Sequence, residues 1–181
     1  MTINITEEES LLLQCLSTTA LLGDLLNENF LESDYFKKLT CGNAFCKMVL
    51  EQSGLGNPAM MQMMLYALLT VPKEVLSRGS YSNLERYAER INPFVCALVE
   101  PGTYSTYENE ESTEKINYFR HIRNAVAHSK CKYVKENQIN YVIFIDNMHS
   151  KECSIKIECG KMGSVLTELQ RLIIKCVNDN L

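Results

Sequence analysis

Residues 119–130 read FRHIRNAVAHSK and hold two of the three histidines and two of the six arginines of the chain. On a helical wheel at about 100° per residue, Phe119, Ile122 and Val126 fall within one arc of roughly 60°. That arc is the apolar stripe expected of a helix lying on a core. Arg120, Asn124 and His128 follow one another at i, i+4 and i+8 along a different ridge, with Arg123 beside it and small Ala127 between. An ordinary surface helix mixes charges of both signs, whereas this one gathers cations and amides. The wheel predicts an open cationic face on which the Arg123 guanidinium and the His128 imidazole project together into solvent.

The surroundings sharpen that contrast. Between Lys115 and Lys135 there are six Lys or Arg and no Asp or Glu. Taking those six from 18 basic residues leaves 12 against 22 acidic ones, a net of −10 on the rest of the chain. The overall charge of −4 argues against a surface that coats nucleic acid generally. One basic segment in an acidic protein suits a local phosphate site, and it also suits a helix that docks an acidic partner.

Upstream, Thr6 and Glu9 form a capping box before Leu12, Leu16, Leu22 and Leu26 at helical spacing. A second helix is expected over 33–52, closed by Gly54. A third begins at Asn57-Pro58 and ends or kinks at Pro72. Ser82 and Glu85 give another box, Pro93 bends the segment behind it, and EPGTYSTYENEEST (100–113) reads as a loop leading into residues 119–130. After that helix the period changes to two. INYVIFI (139–145) and CSIKIEC (153–159) read as a β-hairpin joined by a turn-like DNMHSKE, and an amphipathic helix over about 164–178 follows. The expected fold is mainly α: a helical bundle, one domain over 1–181, with a small β-hairpin inserted before the C-terminal helix.

Composition, 46% apolar and 22% charged, is that of an ordinary globular protein. No run of residues is apolar for long enough to span a membrane, and the N-terminus lacks the pattern of a secretory signal. The eight cysteines are irregularly spaced without a C-x-x-C pair, which suits reduced thiols, a cytoplasmic location and no zinc site. No cofactor is expected.

RNAVAH (123–128) resembles the R-x(4–6)-H motif of the HEPN superfamily, with Asn124 as the polar residue after the arginine. The resemblance is specific over about 115–130 and architectural elsewhere. It implies an all-α bundle and, in many members, a metal-independent ribonuclease of defence, toxin–antitoxin or RNA-processing systems. Members are typically homodimers whose motif helices line one composite cleft, so RNA, a second copy and an antitoxin or regulatory protein are the implied partners. Toxins paired with a nucleotidyltransferase antitoxin often continue as H-x-Y; here Lys130 stands in that place.

These residue types suit attack by the 2′-hydroxyl on the adjacent phosphodiester. His128 can move protons near neutrality, Arg123 can present a fork of donors to developing oxyanions, and Asn124 can hold the phosphate or orient the imidazole. Arg120, Lys130 and Lys132 are the expected substrate-binding residues. A second reading is a non-catalytic HEPN module that binds a nucleotide or a partner protein. His121 is expected to be structural, Tyr104 and Tyr107 lie where a base could stack, and Cys131 at i+3 from His128 is the alternative nucleophile. The nearest acids along the chain, Glu114 and Glu136, lie at or beyond the ends of the helix.

Overall fold

In the computed structural model the described residues are 6–76, 86, 87 and 89–180. The Ser82–Glu85 box and the Glu9 side chain lie outside them. Helix α1 (Glu7–Asn27) runs first. The helix expected over 33–52 is two, α2 (Asp34–Lys38) and α3 (Ala44–Ser53). The backbone turns left-handed at Cys41 and Gly42, φ 48° and 84°, which no helix can continue through. Each piece has its own cap, Ser33 Oγ accepting from the Phe36 N–H at 3.1 Å and Asn43 Oδ1 from Cys46 at 2.8 Å.

Asn57 caps α4 (Pro58–Leu65), which passes through one π turn (Tyr66–Thr70) into α5 (Val71–Leu76). The chain thus stays helical past Pro72; the irregularity that a proline requires is taken up just before it. Then come α6 (Asn92–Cys96), the motif helix α7 (Tyr118–Ala127) and a C-terminal α8 (Met162–Asn180). Among the described residues no helix is long and apolar enough to cross a membrane.

The sheet is larger than a hairpin. Strands β1 (Tyr104–Ser105), β2 (Cys131–Glu136), β3 (Ile139–Met148) and β4 (Lys151–Glu158) pair antiparallel in the order β1-β4-β3-β2. Asn137 and Gln138, both at positive φ, make the two-residue turn between β2 and β3. The β3–β4 turn is equally short, His149 and Ser150, with Asp146 inside β3 at the level of Cys153. The fold is mainly α with this small sheet against one side.

One apolar core joins the layers. Leu12 and Leu16 of α1, Met64 and Leu65 of α4, Val142 and Phe144 of β3, Ile155 and Ile157 of β4 and Leu169, Leu172 and Ile173 of α8 all contribute. Phe119, Ile122 and Val126 seat α7 in it. Burial of each contributes roughly 1.5–3 kcal/mol, enough to fix which way the helix faces.

Candidate functional site

Local chemistry sets both ends of α7. At its start Asn117 Oδ1 accepts the Arg120 N–H at 3.1 Å, and Asn92 Oδ1 accepts the Phe119 N–H at 2.8 Å. At its end the Lys130 N–H returns to Ala125 O (2.7 Å) and the Ser129 N–H to Val126 O (3.2 Å), with Ser129 at φ 55°. That is a Schellman closure built on serine rather than glycine. It leaves His128 as the cap residue, exposed, where the helix turns into β2.

The expected apolar stripe is buried, and the open cationic face is only partly there. Along the ridge exposure rises from Arg120 and Asn124, both intermediate, to His128. Arg123 departs from expectation: it is 7% exposed, its guanidinium 5.6 Å from the Phe119 ring centroid and Nη2 donating to Asn124 Oδ1 at 3.3 Å. The reason is that α7 is covered on more than one side, by the π turn and the bundle and also by β3 and β4. A wheel finds the apolar arc but cannot count how many neighbours pack on a helix. Arg123 and His128 therefore do not share an open face in the single chain.

The flank opposite Arg123 carries a polar cluster that connects three elements. His121, 1% exposed, has Asp146 Oδ2 at 2.7 Å from Nδ1 and Glu110 Oε2 at 2.8 Å from Nε2. Arg120 Nη2 donates to Glu110 Oε1 at 2.9 Å and lies 3.1 Å from His121 Nε2. The Arg120 guanidinium, the His121 ring and two carboxylates thus meet in one cluster, in which His121, Glu110 and Asp146 are buried and Arg120 is partly exposed. Burial on its own would push the Glu110 carboxyl up. Hydrogen bonds from Ser105, His121 and the Asn117 N–H, together with the charge of His121, outweigh it and hold the group below its ordinary value. The Tyr107 ring packs on His121 at 4.7 Å and under Arg120 at 5.2 Å, so the loop before α7 is pinned across the helix.

Asp146 does a second job. Its Oδ2 also accepts from Asn124 Nδ2 at 2.9 Å, which turns the Asn124 carbonyl toward Arg123. A continuous chain of contacts therefore runs from Glu110 through His121, Asp146 and Asn124 to Arg123. Sequence spacing had put the nearest acids at the helix ends; the fold brings Glu110 and Asp146 against its middle. Glu110 lies in the loop among other acids and carries no distinguishing signal. Asp146 does carry one, because Val142, Phe144 and Asp146 share the inward face of β3.

The remaining residues named from sequence scatter around the helix end. Lys130 is exposed, with Nζ donating to Asn147 Oδ1. Lys132 is exposed on β2. Tyr104 reaches Glu152 rather than the motif. Burial raises the Cys131 thiol to about 11, which leaves almost no thiolate near neutrality and argues against a nucleophilic role. None of the eight cysteines forms a disulfide; Cys153 and Cys176 are buried and Cys46 is exposed. Glu110, His121 and Cys153 offer ligand atoms within 4.8 Å of one another and could hold a metal ion by type. The Arg120 guanidinium already supplies positive charge at that point, and a divalent ion would have to displace it.

The end of α7 also borders a groove of about 350 Å³, walled on its other side by α4 and the π turn. Met63 and Tyr66 stand on its rim, 66% and 48% exposed.

Among curated proteins and among solved structures, nothing matches this chain. Its sequence does match the family described as HEPN pEK499 p136, over residues 6–180. That span runs from the residue before α1 to the last residue of α8 and takes in the whole RNAVAH helix. The chain is a member of the HEPN superfamily, in the HEPN pEK499 p136 family.

Proposed function

We propose that this HEPN module is an endoribonuclease that cleaves RNA by attack of the 2′-hydroxyl on the adjacent phosphodiester, with His128 as the group that moves the proton. The supporting observation is the end of α7. There an exposed imidazole sits at the cap, beside a positioned amide and next to a cationic stretch. Histidine is the side-chain type best suited to exchange protons as a general base or acid, and His128 contacts solvent at the helix cap. Asn124, held from behind by Asp146, orients the imidazole or the phosphate. Lys130 and Lys132 neutralise neighbouring phosphates, and Arg120 at the start of the ridge does so less freely because it is already paired with Glu110.

The role of Arg123 changes from that expected of an open fork. Buried against Phe119, it holds Asn124 and places a positive charge in a low-dielectric wall behind the site, where its field on a developing oxyanion is weakly screened. One imidazole supplies about 10²–10⁴-fold of acid–base help, so a second His128 from another copy of the chain would provide the complementary acid. That makes a homodimer part of the proposal, with an antitoxin or other regulatory protein as a fitting partner.

The burial of Arg123 favours one other reading, a non-catalytic HEPN module that binds a nucleotide or a partner protein. Cleavage assays separate the two. Ribonuclease activity predicts that the purified chain cuts RNA but not DNA of the same sequence. The activity persists in EDTA, leaves a cyclic phosphate and is lost in His128→Ala. Cleavage that survives His128→Ala refutes the proposed mechanism. No cleavage at micromolar protein, with nucleotide or partner binding retained, selects the binding module.

A further inference from the structure

The groove at the end of the motif helix brings aromatic, polar and apolar side chains together. One wall is the end of the motif helix, with Ala127 and Ser129 flanking His128 in sequence; the other is α4 and the π turn, with Gln62, Met63 and Tyr66. Ala127 adds only a methyl, so a flat group can approach the helix there. Tyr66 is half-exposed and opens the π turn, a rare helical distortion that is frequent at functional sites. Its ring offers a face that any base can stack on. The Gln62 amide and Ser129 hydroxyl each both donate and accept hydrogen bonds, which is what reading a base edge requires. Charge says what kind of molecule brings the flat group. The groove's lining residues Ala127 and Ser129 flank His128 in sequence and lead into the basic segment with Lys130 and Lys132, while the rest of the chain carries a net −10 and repels polyanions.

We infer that this groove binds one nucleobase of single-stranded RNA, stacked on Tyr66 and Met63, with the attached phosphate at His128. The inference rests on the ribonuclease reading for the position of the phosphate, but not for the binding of the base.

Binding is therefore measured in full-length chain carrying His128→Ala, so that cleavage is not involved. The probe is a short single-stranded RNA containing 2-aminopurine, whose fluorescence drops when it stacks. Adding Tyr66→Ala should weaken binding roughly tenfold and abolish the quench, because one base–aromatic stack contributes about that much. Tyr66→Phe should keep both, and Gln62→Ala should narrow the difference in affinity between purine and pyrimidine probes. Tyr66 is half-exposed, so an unchanged melting temperature will show that the fold survives.

Equal affinity in Tyr66→Ala and its parent overturns the inference, as does a failure of the parent to bind any RNA. Conversion of a dimer to a monomer by Tyr66→Ala, seen by light scattering, also overturns it and assigns the groove to a second copy of the chain. Tyr66-dependent binding together with cleavage insensitive to His128→Ala keeps the base site and refutes the ribonuclease mechanism alone.

Discussion

His121 and Asn124, almost one turn apart on α7, share a single acceptor: Oδ2 of Asp146 lies 2.7 Å from the imidazole Nδ1 and 2.9 Å from the amide Nδ2. One carboxylate on β3 thus fixes both the buried flank of the motif helix and the amide at its exposed ridge. Asp146→Ala leaves both donors without that partner, one of them on the buried His121 ring. The expected loss is about 3–5 kcal/mol in urea unfolding, the range for removing one member of a buried ionic pair. Asp146→Asn keeps one oxygen and should cost about half as much. A loss below about 0.5 kcal/mol for Asp146→Ala would show that β3 does not hold the helix through this residue.

Glu110 should give the protein an acid-sensitive latch. Its carboxyl ionises at a lower pH in the folded chain than the ordinary 4.5 of the unfolded one. The stability it contributes is therefore present above pH 4.5 and disappears as pH falls through the lower folded value. Urea midpoints measured between pH 6 and pH 3 should fall steeply below 4.5. In Glu110→Gln they should start lower and fall less, since Glu111 and Glu114 are depressed too and keep part of the slope. A slope unchanged by Glu110→Gln would rule the latch out.

Much of this architecture was legible in the chain, and the exceptions have physical causes. Caps at Asn57 and Gly54 and the stripe Phe119-Ile122-Val126 were readable because they depend on neighbours within a few residues. The break at Cys41-Gly42 was missed although Gly42 and Asn43 are residue types that stop and cap helices, because the apolar spacing on either side carried one helix through them. Strand β2 went unseen because CKYVKE is an edge strand with charged residues outward, and only β3 beside it makes it a strand. The site divides along the same line. His128 at the ridge end follows from helical geometry, whereas the burial of Arg123 and the Glu110–His121–Asp146 contacts depend on what packs across α7 from distant parts of the chain. Asp146 looked like turn chemistry in DNMHSKE because the turn was drawn three residues too early.

The cysteines should differ sharply in reactivity. Burial raises the Cys153 thiol to about 12 and Cys131 to about 11, so both are almost wholly protonated at pH 8, while Cys46 is exposed. Iodoacetamide at pH 8 should label Cys46 first, read by mass spectrometry of peptides. Cys153, fully buried, should be labelled only as fast as the chain opens, and Cys131 more slowly than Cys46. Equal early labelling of Cys131 and Cys46 would restore the thiolate beside His128 as a candidate nucleophile.

The sharpest contrast lies between the two ends of the RNAVAH motif. Arg123 is packed on Phe119 and bonded to Asn124, whereas the His128 imidazole is exposed at the cap. Arg123→Ala removes a buried side chain with its hydrogen bonds, and should cost about 1.5–3 kcal/mol of stability. Arg123→Lys should recover only part of that, because an ammonium is a compact point charge without the guanidinium's planar fork of donors. His128→Ala removes an exposed group and should shift stability by no more than about 0.5 kcal/mol. If RNA cleavage is the function, His128→Ala should nonetheless abolish it, while Arg123→Lys, assayed well below its melting temperature, should lower kcat more than it raises KM. A fully active Arg123→Lys chain would place the guanidinium among the residues that only build the helix, and leave His128 to carry the chemistry with Asn124.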